Sequence, residues 1–493
     1  MRPLFTLVLV SSNFVVASQP TYFNRAYNFG GADILEGVVE IASGYLVVGE
    51  RAIGIRKGVI LKVSETGDSL WSWSLSDTIN HYSIQWLTKL PLGGFLCGGT
   101  ARSNLVSPAD WDHLFLKLDD TGAVMWTKMW GDTAIDEYVM DARLTNDGNY
   151  ILISAHDYDV APLWGQSALI KTDPDGNILW SYEYGENNYY NVPYQVVQTR
   201  DSGFLIVGYR SDQFGGNRDL MLIKADSLGN HEWTKYYGVL LDGFGSAVTK
   251  SIEGGYLIAG YQEIIDDQLY KGWLLKVDED GNEEWDRFYS IANSTYGELW
   301  KKLIQLPDGS YVGIGGATVG FADRGWMLKV DCHGKQLWSR AYTRDSTWHH
   351  YFYGMDTTSD GGFIVCGSTR LQGQSQDAWL LKLDEYGCDT PGCHLQDTGT
   401  GVPCFTALPP GPSVGGESKI AVYPSPNNGT FMVQLPNDGE WRLQLFDLSG
   451  RLVEERRQEG SVEWDVSGLA QGLYLLKAVA RDGTYASTKV LVE

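Results

Sequence analysis

The sequence predicts an all-β chain: a seven-bladed β-propeller with four-stranded blades, followed by a small antiparallel β-sandwich. Three observations predict it. A unit of about 53 residues recurs seven times, a period typical of propellers and other repeat folds. Short strand-like runs alternate with Gly, Asn-Gly and Asp-Gly turns along the whole chain. Gly and Trp are in excess, 58 and 18 of 493 residues, while Pro is only 16. With 43% hydrophobic residues there is material for a large core, which excludes disorder. Lys plus Arg is 38 against 61 for Asp plus Glu, a formal charge of −23. That excludes nucleic acid and anionic membranes as main partners, because both require a basic face.

Residues 1–18 have the layout of a secretory signal peptide: Arg2, an apolar run from Leu4 to Val10, then small residues. Cleavage is expected after Ala17 or Ser18. The run is too short to span a bilayer and no later stretch reaches 18 apolar residues, so no transmembrane segment is expected.

The body follows. Lys62, Lys117, Lys171, Lys224, Lys276, Lys329 and Lys382 step by 52 to 55 residues. Trp71, Trp126, Trp180, Trp233, Trp285 and Trp338 keep the same steps. Each unit holds four strand-like runs; in the fourth unit these are YQVVQTR, FLIVGYR, DLMLIKAD and HEWTKYY. Four strands per unit is the make-up of a propeller blade. The last run carries Trp and a second aromatic four residues on, as in Trp180/Tyr184, and a strand period of two puts both on one face to fill the gap between blades. The seventh unit ends at Asp384-Glu385-Tyr386-Gly387 without its Trp strand. Tyr22 to Tyr27 supplies one, with Phe23 in the Trp place and Tyr27 in the aromatic place. Residues 22–387 are therefore read as a ring closed by its own N-terminal strand, which removes a loose edge.

Residues 388–417 are rich in Gly, Pro and Thr and hold three Cys, and read as a linker. Residues 418–493 alternate in short strands and make the sandwich. Within them stand Tyr423-Pro424-Ser425-Pro426 with Gly429, Asp447 with Gly450-Arg451, Gly472 with Tyr474, and Lys489. In these elements the tail resembles the C-terminal sorting domain of type IX secretion substrates of Bacteroidota. It departs in Ser425, where Asn is usual, and in an acidic final Glu493. The resemblance implies partners in the type IX secretion machinery and its surface protease, and a destination outside the cell or on its surface.

Features present in every blade are expected to serve the blade, so the Lys row is read as structural. The Asp173-Pro174-Asp175-Gly176-Asn177 type of run lacks the later Glu of a calcium loop and reads as a turn. Segments such as KLDDTGAVMW resemble the tryptophan-docking blades of quinoprotein-type propellers, but no adjacent Cys pair is present and no cofactor is expected. Ligand contacts are expected instead on the loops that vary between copies. Those loops hold Trp111, His156, Asp157, Asp159, Trp164, Tyr189, Tyr190, Trp348, His349 and His350. Aromatic rings beside carboxylates and amides suit a glycan, whose apolar faces stack while its hydroxyls hydrogen-bond, or a protein ligand. The rival expectation is an extracellular lyase or glycoside hydrolase with acids at the propeller mouth. No catalytic residue and no metal site is assigned; His349 and His350 are adjacent on an extended segment and point apart. Cys97 and Cys366 read as small buried hydrophobes, and Cys388 is expected to pair with Cys393 or Cys404.

Overall fold

The computed structural model describes residues 22–493 except 78, 92, 104–110, 133–134, 161–162, 213–215, 239–240, 265–268, 345–347, 371–374, 397–420, 424–429, 436–439, 447–451, 461, 467, 470–471, 481–484 and 493. The expected signal peptide and most of the linker lie outside the described residues. So do Pro424, Pro426, Gly429, Asp447, Gly450 and Arg451, together with the side chains of Asp159, Trp164, Tyr423 and Lys489.

The chain divides into two compact units, residues 1–405 and 406–493. The first consists of antiparallel four-stranded meanders at 32–75, 80–130, 136–184, 190–237, 243–289 and 294–342, and a three-stranded one at 350–383. Strand Phe23–Tyr27 pairs antiparallel with Gln376–Leu383 and becomes the fourth strand of that last sheet. The first strand of each meander touches the first strand of the next, and that of the last touches that of the first. The architecture is propeller-like.

The joint between neighbouring sheets repeats, and its chemistry explains both residue excesses. Each outermost strand lays an aromatic ring on the turn glycine of the following sheet. The pairs are Phe23 on Gly67, Trp71 on Gly122, Trp126 on Gly176, Trp180 on Gly229, Trp233 on Gly281, Trp285 on Gly334 and Trp338 on Gly387. All of these glycines have positive φ, and a Cβ on any of them would press on the ring. Beside the ring, the hydroxyls of Tyr27, Tyr184, Tyr237, Tyr289 and Tyr342 donate to the carbonyls of Gly67, Gly229, Gly281, Gly334 and Gly387. Cores of Val, Leu and Ile fill the space between sheets, such as Leu205, Leu222, Ile258 and Leu275.

In several sheets the Lys row ties the third strand to the turn joining strands one and two, while Lys117 reaches the Pro174 carbonyl of the next sheet at 3.4 Å. Lys171 reaches Asp147 at 2.6 Å, Lys224 reaches Asp201 at 2.9 Å, and Lys382 reaches Asp360 at 2.8 Å. The turn aspartates accept their own backbone: Asp173 Oδ1 takes the N–H of Asp175 and Asn177. Ser64, which replaces Asp in the first copy, accepts from Thr66 and Asp68 in the same way. Cys97, Cys332 and Cys366 are buried thiols, and Cys388 is disulfide-bonded to Cys393. Cys404 lies outside the described residues.

In the second unit a three-stranded sheet (Ala421–Tyr423, Thr430–Gln434, Val462–Asp465) and a four-stranded sheet (Glu440–Phe446, Leu452–Glu459, Gly472–Ala480, Tyr485–Val492) share one core. Phe431, Trp441, Trp464 and Tyr474 are its largest members.

Candidate functional site

Two cavities in the first unit gather side chains that differ from sheet to sheet. The first, ≈ 210 Å³, lies among the first strands of the meanders. Each of those strands carries a β-bulge: the register slips at Leu35/Gly37, Ile84/Trp86, Val139/Asp141, Pro193/Gln195, Gly245/Ala247, Glu298/Lys302 and Phe352/Gly354. A bulge turns one extra residue out of the ladder. The extra residues include Glu36, Gln85, Met140, Tyr194, Ser246, Lys301 and Tyr353, and all of them line this cavity. Glu36 is pushed up to about 7 by burial, against the pull of Lys301. Lys302 is pushed down to about 8 by burial and by Arg143. Asp141, 3.0 Å from Arg143, is also raised by burial.

The second cavity, ≈ 300 Å³, opens between the meanders at 136–184 and 190–237. Tyr138, Tyr190 and Tyr209 line it with Gln85, His156, Asp157, Gln166 and Asn191. Local sequence sets this geometry. Gly165 leaves room for the Tyr190 ring, which a Cβ would meet at 3.1 Å. The fully buried Asn191 donates to the carbonyls of Gly165, Glu186 and Tyr189 at 3.0–3.1 Å and so fixes the entry of its strand. Asp157 pairs in register with Gly165 on one side and Asp136 on the other.

Behind the pocket lies a buried polar group from two sheets. The His156 Nδ1–H donates to Glu183 at 2.6 Å, which in the neutral imidazole leaves Nε2 as the acceptor. Nε2 stands 4.0 Å from Glu137 Oε1 and has no hydrogen-bond partner among the described residues. His113 bonds the Trp130 carbonyl and Ser154 Oγ, each at 2.9 Å. Burial and the neighbouring His156 hold the His113 imidazole down to about 3. Glu137 accepts the Asp132 N–H at 2.9 Å, and burial pushes its carboxyl up to about 7.

Of the residues named from the sequence, Asp157 and Tyr190 meet in the pocket, and His156 forms part of its wall. Trp111 adjoins it through Tyr138, 6.0 Å between ring centres, and carries the Arg102 guanidinium at 5.5 Å. Tyr189 lies 4.7 Å under Arg210, which also covers Tyr236. Trp348, His349 and His350 are not among the pocket residues. His349 bonds the Asp323 carboxylate, and Arg370 stands 5.8 Å from the Trp348 ring. His350 is fully buried between Thr343 and Thr369, at 3.0 and 2.9 Å, beside Trp379.

Residues 421–493 match the family model of the secretion system C-terminal sorting domain. The chain carries a type IX sorting domain at its C-terminus. That sorting domain marks the protein for export to the cell surface or the extracellular space; no helix among the described residues is long and apolar enough to cross a membrane. Ulvan lyase NLR42 of Nonlabens ulvanivorans is 31% identical over 77 residues, 15% of this chain and 14% of that protein. The chain thus matches only a small part of that curated relative. Among solved structures, PorZ, a surface component of the type IX secretion system of Porphyromonas gingivalis, aligns with a TM-score of 0.41 at 10% identity. That alignment covers 92% of this chain and 59% of PorZ. A family PL25 ulvan lyase aligns at 0.45 and 9% identity, over 73% and 96% of the two chains. The β-propeller domain of the trilobed protease from Pyrococcus furiosus aligns at 0.40 and 9%, over 71% and 95%.

Proposed function

We propose that residues 22–387 form one closed seven-bladed propeller that acts outside the cell as a binding module for a glycan, held in the pocket between the third and fourth meanders. The single observation that supports this most is the lining of that pocket. Three tyrosines offer apolar faces, while Asp157, Gln166 and Asn191 are positioned among them. Its volume is at the lower end of small-ligand sites, which fits a short saccharide segment. In this reading residues 1–18 are a signal peptide, 388–417 a linker, and 418–493 a sandwich that the type IX surface protease removes. The test is a glycan array with the full exported chain, repeated with Tyr190→Ala and Asp157→Ala. Binding weakened at least tenfold by Tyr190→Ala supports the reading. Binding that survives both substitutions, or an array that reports only peptides, overturns it.

A second reading, an extracellular carbohydrate-active enzyme, is favoured by one observation. The pocket is concave, and behind its His156 wall stands Glu137, an acid raised toward neutrality. Turnover of an array hit, seen as new reducing ends or unsaturated products and abolished by His156→Ala, would replace the binding-only reading.

A further inference from the structure

We propose that His113, Glu137 and His156 form a divalent metal site, with a first-row ion such as zinc bridging the sheets at 80–130 and 136–184. One donor atom from each residue lies within 4.8 Å of the others. His113 Nδ1 is 3.8 Å from Glu137 Oε2, and His156 Nε2 is 4.0 Å from Glu137 Oε1. Ligands at about 2.0–2.2 Å around a tetrahedral ion stand a little over 3 Å apart, so a small inward shift closes the site. Two imidazoles and a carboxylate are a donor set that zinc takes readily.

The independent observation is His156. It is 7% exposed, and its Nε2 points at Glu137 with no hydrogen-bond partner among the described residues. A buried acceptor left without a donor is destabilising, and a bound cation would offset that cost. Its other nitrogen already donates to Glu183, the kind of carboxylate contact that orients a metal-binding histidine. His113 can follow. Moving its proton from Nδ1 to Nε2 turns the Ser154 bond around, and the Ser154 hydroxyl then donates to the Ala155 carbonyl, now 3.4 Å away. The Trp130 carbonyl oxygen, 2.9 Å from Nδ1 on the side the ion would take, loses that donor and has to turn aside or become a further ligand. Gly131 completes the cradle, because a Cβ there would collide with the Asp112 and Glu137 carboxylates that converge on it. A second His-containing cluster among the described residues, Asp384, Cys388 and His394, is not equivalent, since the Cys388 sulfur is in a disulfide.

The site is tested on the full chain, stripped with chelator and titrated with Zn²⁺ alone by calorimetry, with Co²⁺ absorption as the second readout. One equivalent bound at submicromolar Kd is expected, with a visible Co²⁺ band of a low-coordinate site. His156→Gln removes both, Glu183→Gln weakens Zn²⁺ 10- to 100-fold, and His349→Ala changes neither. If His156→Gln fails to fold, Glu183→Gln and a Zn²⁺-dependent rise in wild-type Tm decide the matter. A wild-type chain that takes up no stoichiometric Zn²⁺, or uptake unchanged in Glu183→Gln, overturns the proposal.

Discussion

A positive-φ glycine under an aromatic ring is the smallest unit that explains this molecule. Gly229 has φ +87°, and a Cβ there would lie 2.6 Å from Tyr182 and 3.0 Å from Trp180. Gly148 has φ +80° with open space around it. Gly148→Ala therefore carries the backbone term alone, about 1 kcal/mol, and Gly229→Ala adds the displacement of two rings. The expected Tm loss is at least twice as large for Gly229→Ala, and equal losses would show that the rings yield freely. Glu36 makes a prediction of opposite sign. Its folded pKa, about 7, lies above the ordinary 4.5, so the stability linked to its neutral form is complete below pH 4.5 and is lost as pH rises through 7. Glu36→Gln should leave stability nearly unchanged at pH 4.5 and raise it by about 1–2 kcal/mol at pH 8, as denaturant titrations at the two pH values would show. The Trp and Gly rows were legible in the sequence because they repeat. Glu36 was not, because nothing in Leu35-Glu36-Gly37 marks a bulge that turns one residue toward a cavity.

At the scale of elements, the strand Phe23–Tyr27 carries the greatest consequence. Phe23 is 7% exposed against Gly67 and Tyr45, Asn24 accepts the Trp379 indole N–H at 2.8 Å, and Tyr27 reaches the Gly67 carbonyl. Phe23→Ala should cost about 3–5 kcal/mol, as large-to-small core changes do. Deleting 23–27 leaves Gln376–Leu383 as an open edge, so aggregation during purification is expected, and a synthetic peptide of residues 22–28 should suppress it. A deletion variant that stays monomeric with an unchanged Tm would contradict this. The pairing was legible because the last unit lacks a Trp strand while Tyr22–Tyr27 carries the matching aromatics. The candidate site was legible only in part. Asp157 and Tyr190 stand out in segments that vary between copies, with His156 beside them; the expected loops are in fact the ends of strands Tyr150–Val160 and Tyr190–Gln198, which extend to the rim of the pocket. Tyr138, Tyr209, Gln166 and Asn191 sit within regular strands whose alternation resembles that of every other sheet. His113, Glu137 and His156 are 24 and 19 residues apart on strands of two sheets, a spacing that matches no metal motif.

For the whole molecule, the charge of −23 and the sorting domain belong together: the chain works outside the cell, where an acidic surface keeps it soluble. Removing residues 418–493 should trap the remaining protein in the periplasm, measured by fractionation and immunoblotting of cells and medium. Export of the truncated chain at the normal level would show that the signal lies elsewhere. The purified truncated chain should keep the Tm of the first unit, because residues 1–405 form a compact unit and the core that is removed is built from residues of the second unit alone.

The pairing of Phe23–Tyr27 with Gln376–Leu383 also sets an order of events in time. At about 5–20 residues per second, roughly 20–70 s of synthesis separate the strand from its partner. Until then the earliest-made segment lacks its strand partner and can rest only on the sheet at 32–75, where Phe23 and Tyr27 meet Gly67. Pairing of this strand is the last event in the sheet at 350–383, and only chains synthesised through to Leu383 can reach it. The strand is thus a completeness check, since a chain cut short before Leu383 leaves Phe23–Tyr27 without its full pairing partner.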